Sequence, residues 1–205
     1  MKTKSLNLKD YIFLGLLSIV GLVIYLVSVG LAAVAILPLG TVGYLLSNGI
    51  FGLLGGIVFV FICCKNSAKG RMTVFFAILL LVISSLGGAY LPFVISTMTA
   101  AFLSDLLLLW LGSERAIAQY ISWPLMQVGI LFGTMVPVWL FTQSFADVFI
   151  EKGSSAAYVA DQIYYSQGGW AVASIAFTVL LSITGIWIAR KILIKYIQPQ
   201  EEELA

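Results

Sequence analysis

The sequence contains no histidine, and charged residues make up only 10% of its 205 residues. A soluble domain carries about 25% charged residues. A chain this poor in charge, with 61% hydrophobic residues, is therefore predicted to be an integral membrane protein. Without histidine it lacks the commonest general base near neutral pH and the commonest metal ligand. This excludes histidine-dependent triads and zinc sites, and favours transport or membrane scaffolding over catalysis.

Other features of catalytic sites are also missing. The two cysteines, Cys63 and Cys64, are adjacent, and two neighbouring thiols cannot complete a tetrahedral zinc site. We interpret them as apolar packing residues. The sequence has no GxxxxGK[ST] phosphate-binding loop, so energy from a nucleotide would have to come from a partner. No cofactor, no metal and no enzymatic activity are predicted.

The few charges are distributed unevenly. The net charge is +2, from 11 basic and 9 acidic residues, which gives no case for nucleic-acid binding. Basic residues precede the first apolar run and recur at residues 65–71, at Arg115 and at residues 190–195, so that only Lys152 lies elsewhere. If alternate connections share one side of the membrane, nearly all basic residues lie there, and the positive-inside rule makes that side cytoplasmic.

These charges predict an all-α, six-transmembrane-helix bundle with cytoplasmic N and C termini, in a single membrane domain covering residues 1–205. A span needs about 20 apolar residues. The predicted spans cover residues 11–29, 41–64, 72–87, 90–111, 120–141 and 170–190. An apolar external connection is expected around residues 30–40. Two short helices between residues 31 and 64 are the alternative, but they would place the basic cluster at 65–71 outside.

The one long connection covers residues 142–169 and is the most polar external part of the chain. Because a loop beyond about 15 residues is usually functional or has its own structure, we predict two short helices in it. They cover approximately residues 144–151 and 155–165, with Gly153 between them.

Small residues recur at helical spacing on three spans. They run along the last span from Ala171 to Ala189, along the second at Gly49, Gly52 and Gly56, and along the first. Such stripes let helices approach closely in lipid, and packing within the bundle is the simpler interpretation. The first span is the candidate for docking a separate membrane partner, and its small residues are Gly15, Ser18 and Gly21.

Aromatic and polar side chains concentrate toward the predicted outer side. Continuing the fifth helix outward would place Trp139, Gln143 and Asp147 on one face, and Pro137 would kink the helix below them. Aromatic rings with an amide and a carboxylate suit a small, flat, polar heterocycle, although aromatic belts also mark membrane interfaces. The further candidate substrate-binding residues are Tyr158, Asp161, Tyr165, Trp170, Asn48 and Tyr90.

Asp105 is the only ionisable residue well inside a predicted span. Intramembrane carboxylates are candidates for function. Two interpretations remain open: a proton- or ion-coupling group, or a structural contact to a cytoplasmic partner or to a Ser or Thr of a neighbouring helix.

The chain resembles the substrate-binding S component of an energy-coupling factor (ECF) transporter, and more narrowly the Trep_Strep family. The stretches that carry the resemblance are KTKSLNLKDYIFLG, KNSAKG and AFLSDL, followed by Trp123-Pro124, PVWLF and the segment from Asp147 to Tyr158. The resemblance implies a subunit in the bacterial plasma membrane that captures a vitamin-like molecule near its extracellular side. It would pass that molecule to a transmembrane coupling subunit (T component) bound to two cytoplasmic ATPases.

The resemblance does not name the substrate. A vitamin B6-type ring or a thiamine-precursor pyrimidine suits the aromatic and amide residues. Family members dock through an Ala-x-x-x-Ala step in the first helix, and this chain departs from it with Gly15, Ser18 and Gly21. The alternative function is a stand-alone proton- or sodium-coupled carrier that uses Asp105 and Asp147. A membrane scaffold or an intramembrane enzyme is the third interpretation.

Overall fold

The computed structural model describes residues 6–39, 42–65, 68–85 and 90–197. The described residues form eight α-helices and no strand. The helices are α1 (Leu8–Leu39), α2 (Val42–Lys65), α3 (Arg71–Ser85), α4 (Leu91–Leu111), α5 (Ala116–Leu140), α6 (Thr142–Glu151), α7 (Ala156–Tyr165) and α8 (Gly168–Ile197).

Five of the described helices are long and apolar enough to cross a membrane, namely α1, α2, α4, α5 and α8. The helix α3 is also apolar but has only 15 residues, or about 22 Å at 1.5 Å per residue. The hydrocarbon core of a bilayer is about 30 Å thick. The predicted third span continued to residue 87, and its last two residues lie outside the described part of the chain.

Contacts between the helices define their directions. Gly56 of α2 lies against Gly185 of α8, and Gly49 lies against Phe177, so α2 and α8 run parallel. Helix α5 is antiparallel to α8, because its early residue Gln119 contacts Arg190. Helix α1 is antiparallel to α2, because Phe13 contacts Phe61 and Tyr25 contacts Phe51. Therefore α1 begins and α8 ends at the same end of the bundle, which we call the basic end. We call the opposite end, where α6 and α7 lie, the capped end.

The helix α1 differs from its prediction. It continues without a break to Leu39, so residues 30–39, expected as a connection between spans, are helical. Gly30 alone lowers helix stability by only about 1 kcal/mol relative to alanine. Leu31, Ala32 and Ala33, which follow it, are good helix formers, and they favour continuation of the helix. Residues 40 and 41 lie outside the described chain.

The two short helices of the long connection are confirmed. Ser155 caps α7 by accepting a hydrogen bond from the backbone N–H of Tyr158, at 3.2 Å. Gly153 joins α6 to α7 with φ +92°, a left-handed conformation that favours glycine. The sequence signals for this cap and turn were local, which is why they located both helices.

Two of the three small-residue stripes pack within the bundle. A Cβ on Gly185 would lie 2.5 Å from the Leu53 carbonyl oxygen and 2.6 Å from that of Gly52, so only glycine permits this approach of α8 to α2. The stripe of α8 is correspondingly buried. The interpretation of these two stripes as packing surfaces is confirmed.

The stripe of α1 is divided between two environments. The Ser18 hydroxyl donates a hydrogen bond to the Phe75 carbonyl at 3.1 Å, and the Phe75 ring leaves no room for a Cβ on Gly21. Contact with α3 therefore explains both small residues. Gly15, in contrast, has no neighbour within 4 Å of its Cβ position. The docking role of Gly15, Ser18 and Gly21 stays a prediction.

Candidate functional site

At the basic end, Asp105 of α4 holds the beginning of α3. Its carboxylate accepts hydrogen bonds from the backbone N–H groups of Met72 at 3.1 Å and Thr73 at 2.8 Å, and from the Thr73 hydroxyl at 2.7 Å. The first N–H groups of a helix have no partner within it, and in a membrane no water is available to satisfy them. Of the two interpretations left open, these bonds favour the structural contact.

A second polar network at the basic end joins α5 to α8. The fully buried Gln119 donates from its amide nitrogen to the Ser113 carbonyl at 2.8 Å, and its amide oxygen accepts from the Arg190 guanidinium at 2.8 Å. Both polar atoms of this side chain are therefore used. The network fixes the turn between α4 and α5 against the end of α8.

At the capped end, Tyr90 compensates for a proline in α5. Pro137 has no N–H and cannot bond to the carbonyl of Gly133 four residues earlier. The Tyr90 hydroxyl donates to that carbonyl at 2.7 Å. The ring of Tyr90 stacks on Phe93 and meets Phe149 edge-on. Tyr90 thus joins the start of α4 to both α5 and α6.

A groove of about 260 Å³ lies beside Tyr90, between the start of α4, the end of α5 and α6. Half of its lining residues are aromatic and most of the others are apolar, with the Ser144 hydroxyl as an exception. The lining residues are Tyr90, Pro92, Pro137, Phe141, Ser144, Phe145, Val148 and Phe149. The volume suits a single aromatic ring with small substituents. Of the predicted site residues, only Tyr90 lines this groove.

The predicted face of Trp139, Gln143 and Asp147 is not formed by one continuous helix. Phe141 (φ −139°, ψ 45°) separates α5 from α6. Gln143 and Asp147 share an exposed face of α6, where the amide donates to the carboxylate at 2.9 Å. The other side of this segment carries Phe141, Phe145 and Phe149, which also recur every four residues and line the groove. The sequence predicted the polar residues of this segment as site residues, whereas its aromatic residues line the groove.

Trp139 instead joins an aromatic cluster on the α7–α8 side. Its indole N–H donates to the Ser166 carbonyl at 2.6 Å, just after α7 ends. The neighbouring Tyr165 meets the Trp170 ring edge-on, with centroids 5.3 Å apart. The structure thus brings three predicted residues, Trp139, Tyr165 and Trp170, to one region, and Trp139 and Trp170 are partly exposed there.

The remaining predicted residues lie apart. The Gln162 amide nitrogen donates to the Tyr158 hydroxyl at 2.9 Å within α7. Burial raises the pKa of Tyr158, and this hydrogen bond opposes the rise, so the phenol stays neutral at physiological pH. Asp161 is exposed on the same helix, and Asn48 is buried on α2.

Gln127, which sequence reasoning missed, is a buried amide near the middle of α5. It is fully buried, and neither its amide nitrogen nor its amide oxygen has a hydrogen-bond partner among the described residues. Thr178 of α8 likewise has a buried hydroxyl without a partner in that part of the chain. The signal was present, since Gln127 interrupts an apolar run.

The described residues contain no group of three or more Asp, Glu, Cys or His side chains that could hold a metal ion. The polar atoms that lie in the groove and in the aromatic cluster of Trp139, Tyr165 and Trp170 are hydroxyl and indole groups. This chemistry suits recognition by hydrogen bonding and ring contact.

Comparison with known proteins gives one family. No curated protein and no solved structure matches the chain. The model of the Trep_Strep family, described as hypothetical bacterial integral membrane proteins, matches residues 8–198. Together with five long apolar helices, this makes the chain a multi-pass integral membrane protein and a member of the Trep_Strep family.

Proposed function

We propose that this protein is the substrate-binding subunit of an ECF-type importer. It captures a small vitamin or vitamin precursor at its capped end, which faces the outside. The substrate is a flat ring such as a vitamin B6-type molecule or a thiamine-precursor pyrimidine. A transmembrane coupling subunit and two cytoplasmic ATPases supply the energy.

The observation that carries the proposal is the aromatic groove of about 260 Å³ between α4, α5 and α6. A groove of this size lined by Tyr90, Phe145 and Phe149 suits stacking and edge contacts with one small ring. The groove lies at the capped end. The nearby cluster of Trp139, Tyr165 and Trp170 offers further ring contacts.

The orientation follows from charge. The basic end carries Lys65, Lys69, Arg71, Arg115 and Arg190, and the capped end carries Lys152 as its basic residue among the described side chains. By the positive-inside rule, this distribution supports a cytoplasmic basic end, where the proposed ATPases would bind. In this arrangement α3 crosses the membrane in addition to the five long helices, which gives six spans, and both termini are cytoplasmic.

The stand-alone carrier is less well supported. A coupling carboxylate has to exchange a proton or an ion during transport. Both oxygens of Asp105 accept hydrogen bonds from α3, and Asp147 is exposed on α6. Neither carboxylate lines the groove.

Affinity purification of the tagged protein from its native membrane tests the proposal. We expect a membrane subunit and two ATPases to co-purify. Denaturation should release a single-ring molecule, which mass spectrometry detects. ATP-independent uptake by the purified protein alone in liposomes would contradict the proposal and support the carrier.

Two variants test the site. Phe149→Ala opens the groove, and we expect it to weaken binding of the released molecule at least tenfold while the subunits still co-purify. Trp139→Ala tests the second aromatic cluster in the same way. Loss of affinity in the Trp139 variant alone would move the site to the α7–α8 side.

A further inference from the structure

The buried amide of Gln127 has no role in the groove. It lies on α5 facing α2 and α8, where a Cβ on Gly52 would lie 3.3 Å from the Gln127 Cγ and would also meet the Ser182 hydroxyl. The groove, by contrast, lies on the side of α5 that faces α4 and α6. Gln127 therefore belongs to a different junction, formed by α2, α5 and α8.

An amide with neither polar atom paired is unfavourable in a protein interior, and more so in a membrane, where water does not compensate. The same helix shows that this chain pairs a buried amide where the role is structural. Gln119, also fully buried, uses its nitrogen toward Ser113 and its oxygen toward Arg190. The unpaired amide of Gln127 calls for a different explanation.

Other unpaired neutral groups lie between Gln127 and the capped end. Thr178 lies one turn before Ser182 on α8, and its buried hydroxyl has no partner among the described residues. Helix α7 packs on α2 and α8. Its Gln162 amide oxygen is also buried and has no partner among the described residues. We call Gln127, Thr178 and Gln162, which lie progressively nearer to the capped end, the polar route.

The polar groups of this route carry no charge. The buried charged side chains of the described chain, Arg71 and Asp105, lie at the basic end. An anion on the route would therefore have no counter-charge, and desolvating it would be costly. A neutral molecule that offers one donor and one acceptor side by side would pair with both atoms of the Gln127 amide.

We propose that Gln127 forms a second substrate-binding site, apart from the groove, which recognises a neutral small molecule through an amide-like edge, as in a lactam or an aminopyrimidine, with Thr178 as a second contact. This proposal rests on the proposed function and specifies the substrate class. The molecule enters from the capped end past α7, and carboxylates and phosphate esters are rejected.

Binding to the full-length protein in its complex tests the role of Gln127. The probes are 4-amino-5-hydroxymethyl-2-methylpyrimidine and pyridoxine as neutral rings, and pyridoxal 5′-phosphate as an anion. We expect a neutral probe to bind, the anion not to bind, and Gln127→Leu to weaken binding about tenfold or more by removing two hydrogen bonds. Unchanged affinity in Gln127→Leu, or preferred binding of the anion, would overturn the proposal.

A labelling experiment tests the route without a known ligand. In a chain with Cys63→Ala and Cys64→Ala, Gln127→Cys is treated in membranes with methyl methanethiosulfonate, which is small and neutral, added from the capped side. We expect it to react at least tenfold faster than Met126→Cys, which is equally buried but lies in the apolar core. Equal rates would overturn the proposal.

The two proposals fail in different ways. If Gln127→Cys is labelled faster than Met126→Cys but no coupling subunit co-purifies with the wild-type chain, the ECF function is wrong and the binding route stands. If the subunits co-purify but the two cysteine variants are labelled at equal rates, the route is wrong and the ECF function stands.

Discussion

Buried Asp and Gln side chains differ in their hydrogen bonding between the two ends of the bundle. At the basic end, Asp105 and Gln119 use both terminal atoms in hydrogen bonds to neighbouring segments. Toward the capped end, Gln127 and Gln162 each retain a buried amide atom without a partner among the described residues. Paired polar groups join helices rigidly, whereas unpaired ones remain available to a ligand.

Under the proposed function, this difference gives the two ends separate tasks. The rigid basic end would be the surface that docks on the proposed coupling subunit, because its shape does not depend on the ligand. A capped end with an aromatic groove and unpaired amides suits capture. The predictions below test this division, beginning with the variant expected to have the largest effect.

Removing the carboxylate of Asp105 is expected to have the largest effect on stability. In Asp105→Ala, the buried N–H groups of Met72 and Thr73 lose their acceptor. Hydrogen bonds to a charged group contribute about 1.5–3 kcal/mol each, so we expect a loss of about 3 kcal/mol or more and a clearly lower thermal midpoint in detergent.

The control is Asp147→Ala, which removes an exposed carboxylate at the capped end and should leave the midpoint nearly unchanged. If Asp105→Ala keeps wild-type stability but abolishes transport, Asp105 is a coupling group, and the carrier returns as the better function.

A methyl group at the closest helix contact is expected to have the next largest effect. In Gly185→Ala, the new Cβ would lie 2.5 Å from the Leu53 carbonyl oxygen, so α8 must move away from α2. Overpacking of this kind costs about 1–3 kcal/mol. Thermal unfolding in detergent measures the loss.

The matched control is Gly15→Ala on α1, where a Cβ meets no atom within 4 Å. Its stability should equal that of the wild type or exceed it slightly, since alanine favours the helix. A lower yield of co-purified coupling subunit with Gly15→Ala would support the docking role of this position.

The helices could be predicted further than the contacts. Apolar runs and basic clusters located the long helices, because lipid requires long uninterrupted helices and charges mark their ends. Ser155 and Gly153 located α7 because caps and turns are local signals. The length of α1 was wrong because Gly30 weakens a helix without ending it.

The site was predicted less well, since side-chain partners are set by tertiary structure. The sequence could suggest Tyr90, but not that its hydroxyl bonds to a carbonyl left free by Pro137. It could place Gln143 and Asp147 on one face, but not the break at Phe141 that turns this face to the exterior. Whether Gln127 is paired depends on two other helices.

The paired and unpaired glutamines of α5 give a direct test of the comparison. Gln119→Leu leaves the Ser113 carbonyl and the Arg190 guanidinium without their partner, and we expect a loss of about 1–3 kcal/mol. Gln127→Leu removes two unpaired buried atoms, and we expect unchanged or higher stability. Equal losses in both variants, measured by thermal unfolding, would mean that the two ends do not differ in this respect.

The smallest expected effect is that of Tyr90→Phe, which removes one hydroxyl and leaves the ring in the groove. The Gly133 carbonyl then loses the donor that replaces the missing N–H of Pro137, and we expect a loss of about 1 kcal/mol. Because Phe keeps the ring contacts with Phe93 and Phe149, groove binding should change little.

Pro137→Ala restores the helical N–H, so in that background Tyr90→Phe should lower stability less. The difference between the two backgrounds measures the hydrogen bond. An equal loss of stability in both backgrounds would show that the Tyr90 hydroxyl does not act through the Gly133 carbonyl. If Tyr90→Phe weakens ligand binding more than it lowers stability, the hydroxyl contacts the ligand in the groove.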